Sequence, residues 1–373
     1  MEKLVDTEDE AMLRDAARGF LDNFSPVSAF RKNRDEGRAF DPALWSEMGQ
    51  MGWAGVLVGE GDGGSDMGHR AAGILCEEMG RTLTASPFIS SAVIAATTLR
   101  AAGSDHLSSI ATGETLYALA VDEGSKFAPS RTAMEARADG NAFRLTGAKA
   151  FVAEGSTANR LLVLARTSGS AGDEQGLTLF DIDASRAGIK QDSVETIDYR
   201  DFINLSFDNV EATGDDVVGD VDNGLAALAP GLRAGQAALA AELGGLSAGI
   251  AAITLGYLKE RKQFGRHIGS FQVLQHRAAH LFAEIEVTTS AIAAAGRALD
   301  EGSENAALLS SLAKARATQT AKLAVMEGVQ MHGGIGMTDE YDAGFFMKRA
   351  RVGAEWLGDY GHHAAIVAAH RGL

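Results

Sequence analysis

Apolar residues recur at helical spacing from Glu10 to Asn23, where Met12, Leu13, Ala16, Ala17, Phe20 and Leu21 form one stripe. Pro42 opens a second helix that runs to Met51, with Asp41 as the expected N-cap. A glycine-rich turn at Gly59–Gly64 precedes another helix from His69, and residues 86–112 predict two short helices. The period changes near Thr115. Tyr117–Asp122, Ala133–Ala138, Ala142–Thr146, Arg160–Arg166, Leu177–Asp183 and Ile203–Phe207 are short, bounded by Gly, Asp or Ser, and several alternate apolar with polar residues. Ser168–Asp173 reads as an exposed loop. After Gly219 long apolar helices return over Leu225–Arg261, Phe271–Leu299 and Asn305–Met331. Helices that are apolar nearly all round belong inside a bundle or an oligomer interface. The pattern predicts an α+β chain: an N-terminal helical domain over 1–114, a β-domain over 115–218 and a helical bundle over 219–373.

Composition narrows the classes. Hydrophobic residues make up 46% of the 373 positions, enough for two or three packed domains. The formal charge of −16 and the lack of a basic patch argue against a nucleic-acid partner. The single cysteine, Cys76, cannot form an internal disulfide and falls on an apolar helix face, as a small core residue does. The first ten residues are acidic, unlike a secretory or transit leader, and no uncharged apolar run reaches membrane-spanning length. A cytoplasmic location with no membrane association is the expectation.

Several motifs have plain explanations. Gly245-Leu-Ser-Ala-Gly249 matches a hydrolase nucleophile elbow, but that elbow needs a strand before it, and here the residues lie inside an apolar helix. Small residues there predict close helix packing. His276 and His280 share a helix face at metalloprotease spacing, but Arg277 stands where that site needs Glu. His362 and His363 are adjacent and point to different faces, so no metal site is expected. No Gly-x-Gly-x-x-Gly follows a strand, so a Rossmann dinucleotide site is unsupported.

Two segments are more specific. Arg261-Lys-Gln-Phe-Gly-Arg-His-Ile-Gly-Ser-Phe-Gln272 is a charged turn between long helices, with Phe264 near its centre. Gln330-Met-His-Gly-Gly-Ile-Gly-Met337, followed by Glu340-Tyr341, ends a helix on glycines whose backbone N–H groups can face phosphate. Alone, the first reads as a connector and the second as a glycine C-cap. Together they resemble the acyl-CoA dehydrogenase family, whose hallmark is Arg-x-x-Phe-Gly-x-x-Ile-x-x-Phe-Gln followed by Gln-x-x-Gly-Gly-x-Gly and Glu-Tyr. Met51-Gly-Trp-Ala-Gly-Val-Leu-Val58 with Gly63-Gly64, and Leu145-Thr-Gly-Ala-Lys149, extend the resemblance over nearly the whole chain.

The resemblance implies an N-terminal helical domain, a central β-domain and a C-terminal four-helix bundle, with FAD bound between subunits. It assigns Arg261, Phe264, Gln272, Gln330, Gly333 and Gly334 to the half-site that holds the FAD pyrophosphate of a neighbouring subunit. A guanidinium such as that of Arg261 forks onto phosphate oxygens. The flavin-ring half departs from the family. Val121-Asp122-Glu123-Gly124 stands where Val-Thr-Glu-Pro is usual, so Asp122 is expected to place a charge where a neutral donor belongs. Phe151-Val152-Ala153 replaces Trp-Ile-Thr; Phe151 can still stack on the ring, but Ala153 has no hydroxyl.

The base departs further. The family removes a proton α to the thioester with a carboxylate whose pKa is raised by burial. Counting without gaps from Lys348-Arg349-Ala350-Arg351 places Leu357 at the usual Glu position, within Trp356-Leu357-Gly358-Asp359. The minority position, on the helix before Arg261, falls on Gly235, and the Arg usual after it is Gln236. Asp359, Glu242 and Glu355 are the candidate replacements for the base. Two readings follow. One is a non-catalytic subunit of a hetero-oligomer, resembling relatives that act on steroid side-chain CoA esters as pairs of unlike chains. The other is a self-sufficient homo-oligomer with a displaced base. Either implies an acyl-CoA substrate and an electron-transfer flavoprotein as acceptor.

Overall fold

The computed structural model describes residues 6–373. Residues 1–5, with part of the acidic amino-terminal stretch, lie outside the described residues. Helices come first: α1 (Glu8–Phe24), α2 (Val27–Asp35), α3 (Pro42–Gln50) and α4 (Gly68–Thr82). A π-helix over Phe88–Ala95 runs into α5 (Ala96–Ala102), and α6 (Leu107–Ala111) follows. The sheet strands are β1 (Tyr117–Ala120), β2 (Glu135–Asp139), β3 (Ala142–Ala153), β4 (Arg160–Arg166), β5 (Leu177–Asp183), β6 (Ile189–Val194), β7 (Phe202–Thr213) and β8 (Val217–Val218). Next come α7 (Gly224–Glu260), a small hairpin of β9 (Lys262–Gln263) and β10 (Arg266–His267), and then α8 (Gln272–Asp300), α9 (Ala306–His332), α10 (Ala343–Glu355) and α11 (Tyr360–His370). The expected order of helical domain, central sheet and C-terminal helices is the one observed.

Local chemistry explains the element ends. Thr7 and Glu10 close a reciprocal capping box on α1, and Asp41 caps α3 just before Pro42. By contact, the chain forms two units. One contains the described part of Met1–Glu36, His69–Ala85 and Gln236–Leu373; the other contains Gly37–Gly68 and Ser86–Gly235.

In the second unit the sheet order is β6-β7-β3-β2-β4-β5-β8, with β1 parallel to β4. Its core packs Leu145, Val163, Phe180, Ile203, Leu205 and Phe207 among other buried apolar residues. The sequence pattern ends β3 at Thr146, but the strand continues to Ala153. Register shifts between Leu145 and Gly147, and again between Lys149 and Val152, interrupt the alternation that would have revealed it. β6 is unexpected as well. It pairs only with β7, and as an edge strand it carries Lys190, Gln191, Asp192 and Ser193 without an apolar face.

In the first unit, glycines bring helices into contact. A Cβ on Gly245 would overlap the carbonyl of Glu77, one on Gly80 the carbonyl of Glu242, and one on Gly249 would press on the Arg81 carbonyl. The serine-hydrolase-like pattern at 245–249 is therefore the crossing of α7 over α4. Gly244 similarly faces Ile292 of α8, and Gly328 of α9 faces Ile250. Cys76 is buried and free, as expected of a core residue. By length and composition α7 is apolar enough to cross a membrane, which the sequence pattern did not suggest; 72% of its most apolar stretch is buried inside the protein.

Candidate active site

The first motif is built as a hairpin rather than a plain connector. Phe264 and Gly265 both take positive φ, +53° and +78°, which turns β9 back onto β10. Phe264 is thereby left 90% exposed, its ring edge-on to Phe271 with centroids 6.1 Å apart. Arg266 stacks on the other aromatic, 3.9 Å from the Phe271 ring centre. Arg261 and Gln272 lie at either end of this segment, exposed. The Arg261 side chain has no partner among the described residues, so its five donors remain available for an anion.

The second motif ends α9. Gly333 caps the helix at φ +64°, and a Cβ on Gly333 or Gly334 would meet nothing within 4 Å. Exposed Gln330 sits one turn before. Sequence reasoning missed what joins the two motifs. His332 stacks between Tyr257, at 4.5 Å, and Tyr341, at 4.6 Å. Tyr257 is on the last turn of α7, and its carbonyl accepts the Arg261 N–H at 2.9 Å. The His332 Nδ1–H donates to the Gly328 carbonyl at 2.6 Å, and burial holds its pKa below the ordinary histidine value. A neutral ring wedged between two phenols thus fixes the glycine turn beside the hairpin. In the sequence, His332 falls within the second motif and Tyr341 within the Glu-Tyr that follows it.

The sheet unit carries a different cluster. Lys149 on β3 is fully buried; its ammonium donates to Glu123 at 2.7 Å and to the Val121 carbonyl at 3.1 Å. Glu123 in turn accepts the N–H groups of Ala133 and Met134 at 2.8 and 3.0 Å. Burial pushes the Lys149 pKa down to about 8, partly offset by Glu123. Asp122 is bypassed by this pairing. Burial pushes its carboxyl up to about 6, against the pull of Lys149. Its carboxyl is desolvated without a bonded cation. Phe151 follows at the β3 bulge with φ +52°, 46% exposed, its N–H held by Asn204 Oδ1 at 3.1 Å. Ala153 is buried.

At the turn between α10 and α11, Leu357 has φ +57° and is 2% exposed. Its carbonyl accepts Gln236 Nε2 at 3.3 Å and His363 Nε2 at 3.1 Å. The buried His363 ring is pushed down to about 3, so it is neutral there. The Lys314 ammonium, fully buried, donates to the carbonyls of Gly353, Gly358 and Ala354 at 2.9, 3.1 and 3.4 Å. This turn holds its apolar side chain inward and its carbonyls on fixed donors. Gly235, buried on α7, offers no acid–base group.

The nearby carboxylates have other partners. Glu242 faces Arg349 at 3.5 Å, and both are buried. Asp359, expected in a loop, is the N-cap of α11 and accepts the His362 N–H at 2.8 Å. Glu355 pairs with Arg351 one turn away. Glu355 and Asp359 also line a cavity of about 490 Å³ with Lys322, Met326, Met347 and Tyr360. His276 is exposed, and His280 is 3.8 Å from Glu284. Among the described residues no group of three or more His, Cys, Asp or Glu side chains is placed to hold a metal.

Residues 7–109 match the acyl-CoA dehydrogenase N-terminal domain and residues 222–371 the acyl-CoA dehydrogenase C-terminal domain. The chain belongs to the acyl-CoA dehydrogenase family. It is 30% identical to isovaleryl-CoA dehydrogenase of Solanum tuberosum over 84% of this chain and 78% of that one. Among solved structures, a variant of the Tcur3481-Tcur3483 steroid ACAD is 29% identical, with a TM-score of 0.86 and 97% of each chain covered. The ChsE4-ChsE5 complex from Mycobacterium tuberculosis shares the fold at a TM-score of 0.89 and 21% identity, over 100% of this chain and 99% of that one. Acyl-CoA dehydrogenases are FAD-dependent flavoproteins, so FAD is the cofactor the family brings.

Proposed function

We propose that this chain is the base-deficient subunit of an acyl-CoA dehydrogenase-type hetero-oligomer that carries out α,β-dehydrogenation of an acyl-CoA thioester. The observation that carries the reading is Leu357. The position expected to hold the base presents a buried, aliphatic side chain, and each neighbouring carboxylate has a structural partner. Leu cannot accept a proton, so an unlike chain of the same family would supply the carboxylate. The paired designation of the Tcur3481-Tcur3483 steroid ACAD supports an assembly of this kind.

The residues present suit FAD. Exposed Arg261, Gln272 and Gln330, with open space before Gly333 and Gly334, form a cradle for phosphate oxygens. Phe264 projects beside it, free to enter a neighbouring subunit. Phe151 offers an aromatic face for ring stacking on the sheet unit. Bound FAD would supply the hydride acceptor; the chain's own residues anchor and orient it. An electron-transfer flavoprotein as acceptor belongs to the same reading.

Affinity purification of the tagged chain from its native host tests this. A second, unlike acyl-CoA dehydrogenase-type chain should co-elute in constant ratio, bringing FAD with it. A homogeneous oligomer of this chain with full FAD content would overturn the reading.

A further inference from the structure

We propose that Arg31 and Arg34 of α2 are positioning residues for the flavin phosphates: they clamp the segment that carries Tyr341, and through the Tyr341–His332 stack they set the glycine turn that faces those phosphates. This rests on the cofactor reading above and adds to it two residues outside the motifs that carry it.

Glycine leaves the turn little to hold it. Gly333–Met337 is a single short 3-10 helix, and Met337, Thr338, Asp339 and Glu340 are exposed. Such backbone loses much conformational freedom when ordered, so its geometry has to be imposed by other residues. Thr338 supplies a local tie to the Ile335 carbonyl, from its N–H at 3.1 Å and its hydroxyl at 2.9 Å. The residues after it are held from α2. Arg31 donates to the carbonyls of Asp339 and Glu340 at 2.6 and 3.5 Å and to the Asp342 carboxylate at 2.8 Å. Arg34, one turn along, donates to the Asp339 carboxylate at 2.8 and 3.0 Å. Both guanidiniums lie over the Phe345 ring of α10, 4.5 and 4.9 Å from its centre. Phe345 is buried and meets Phe30 of α2 edge-on at 5.3 Å.

Tyr341 lies between Glu340 and Asp342, both held by Arg31. Its ring is 4.6 Å from His332, the residue immediately before Gly333. His332 is also 4.5 Å from Tyr257, whose carbonyl accepts the Arg261 N–H. One imidazole therefore links the clamp to both halves of the cradle. An exposed surface ion pair would hold little. The Arg31 and Arg34 side chains keep only 25% and 14% of their surface in solvent, and Arg31 is spread over two main-chain carbonyls and a carboxylate. Bonds to main-chain carbonyls fix the path of the chain, and with it the side from which Tyr341 meets His332.

Titration of FAD into the flavin-depleted protein, in the assembly in which it purifies from its host, reads this directly. Arg31→Ala should weaken FAD binding about threefold or more, and Tyr341→Leu should do the same. The two changes together should weaken it no further than Tyr341→Leu alone, because the arginine acts through the tyrosine. A merely stabilising role would leave FAD affinity unchanged or add the same loss in either background. Thermal unfolding of the flavin-free variants measures that role separately. Arg31→Met, which keeps the apolar stem, replaces the alanine variant if that one does not fold. Unchanged affinity in either single variant, or an equal loss from the Arg31 change with and without Tyr341, overturns the proposal and leaves the cofactor reading intact. Arg261→Ala decides that reading: if it binds FAD as wild type does, cradle and clamp fall together.

Discussion

The side-chain amide of Gln236 donates to the main-chain carbonyl of Leu357 at 3.3 Å. Gln236 thus closes onto the turn at residue 357 by a neutral hydrogen bond. His363 completes the carbonyl's partners from α11. The turn is held around a buried apolar residue.

Installing a carboxylate should change that. Leu357→Glu keeps a non-glycine residue at φ +57°, so backbone strain is unaltered. A buried carboxyl should cost about 1–3 kcal/mol of stability. The same burial would raise its pKa toward the range suited to a general base. In the chain saturated with added FAD and kept without its partner, acyl-CoA-dependent bleaching of the flavin should rise at least about tenfold over wild type. Stopped-flow absorbance checks the rate and thermal unfolding checks the cost.

Lys314 makes a pH-dependent contribution whose sign follows from burial. Its folded pKa is lowered from 10.5 to about 7. Above about 7 the folded chain holds fewer protons than the unfolded chain, so this group makes stability rise between about 7 and 10.5 and fall away as pH drops through 7. Lys149, lowered to about 8, adds a second rise. Lys314→Met should lower stability at neutral pH, because it strands the carbonyls of Gly353 and Gly358. It should also flatten, without abolishing, the rise above pH 7. Urea midpoints across pH measure both effects.

The crossing of α4 and α7 has no room for a methyl group. Gly245→Ala would drive its Cβ into the Glu77 carbonyl, which is backbone and cannot rotate away. A loss of about 3 kcal/mol is expected, seen as a lower denaturant midpoint. Gly334→Ala, with nothing within 4 Å of the new Cβ, should be close to neutral in the same assay.

Much of this was legible in the sequence for identifiable reasons. The long helices declared themselves because their apolar stripes persist over many turns, and Asp41–Pro42 and the 245–249 glycines carried local geometry with them. Counting from Lys348–Arg351 singled out Leu357, which lies at the turn between α10 and α11. What stayed hidden depends on tertiary context. β6 has no apolar face, and β3 breaks its own alternation at bulges. The His332 wedge needs two tyrosines brought from separate segments. Nothing in the sequence shows that Lys149 is committed to Glu123.

Arg261 should act on cofactor retention and not on folding. It is exposed and has no partner among the described residues. Arg261→Ala should lower FAD affinity of the assembled protein about tenfold or more, the loss expected for a charge-assisted phosphate contact. Stability of the flavin-free protein should stay within about 0.5 kcal/mol of wild type. Equilibrium dialysis with FAD, beside thermal unfolding, separates the two.

The most direct measurement is turnover by the chain alone. Purified without any partner, it should hold little FAD and transfer no electrons from acyl-CoA thioesters to an artificial acceptor, and activity should appear when the co-purified chain is added back. A fully yellow single-chain preparation that dehydrogenates acyl-CoA would mean a carboxylate of this chain is the base, contrary to the role assigned to Leu357.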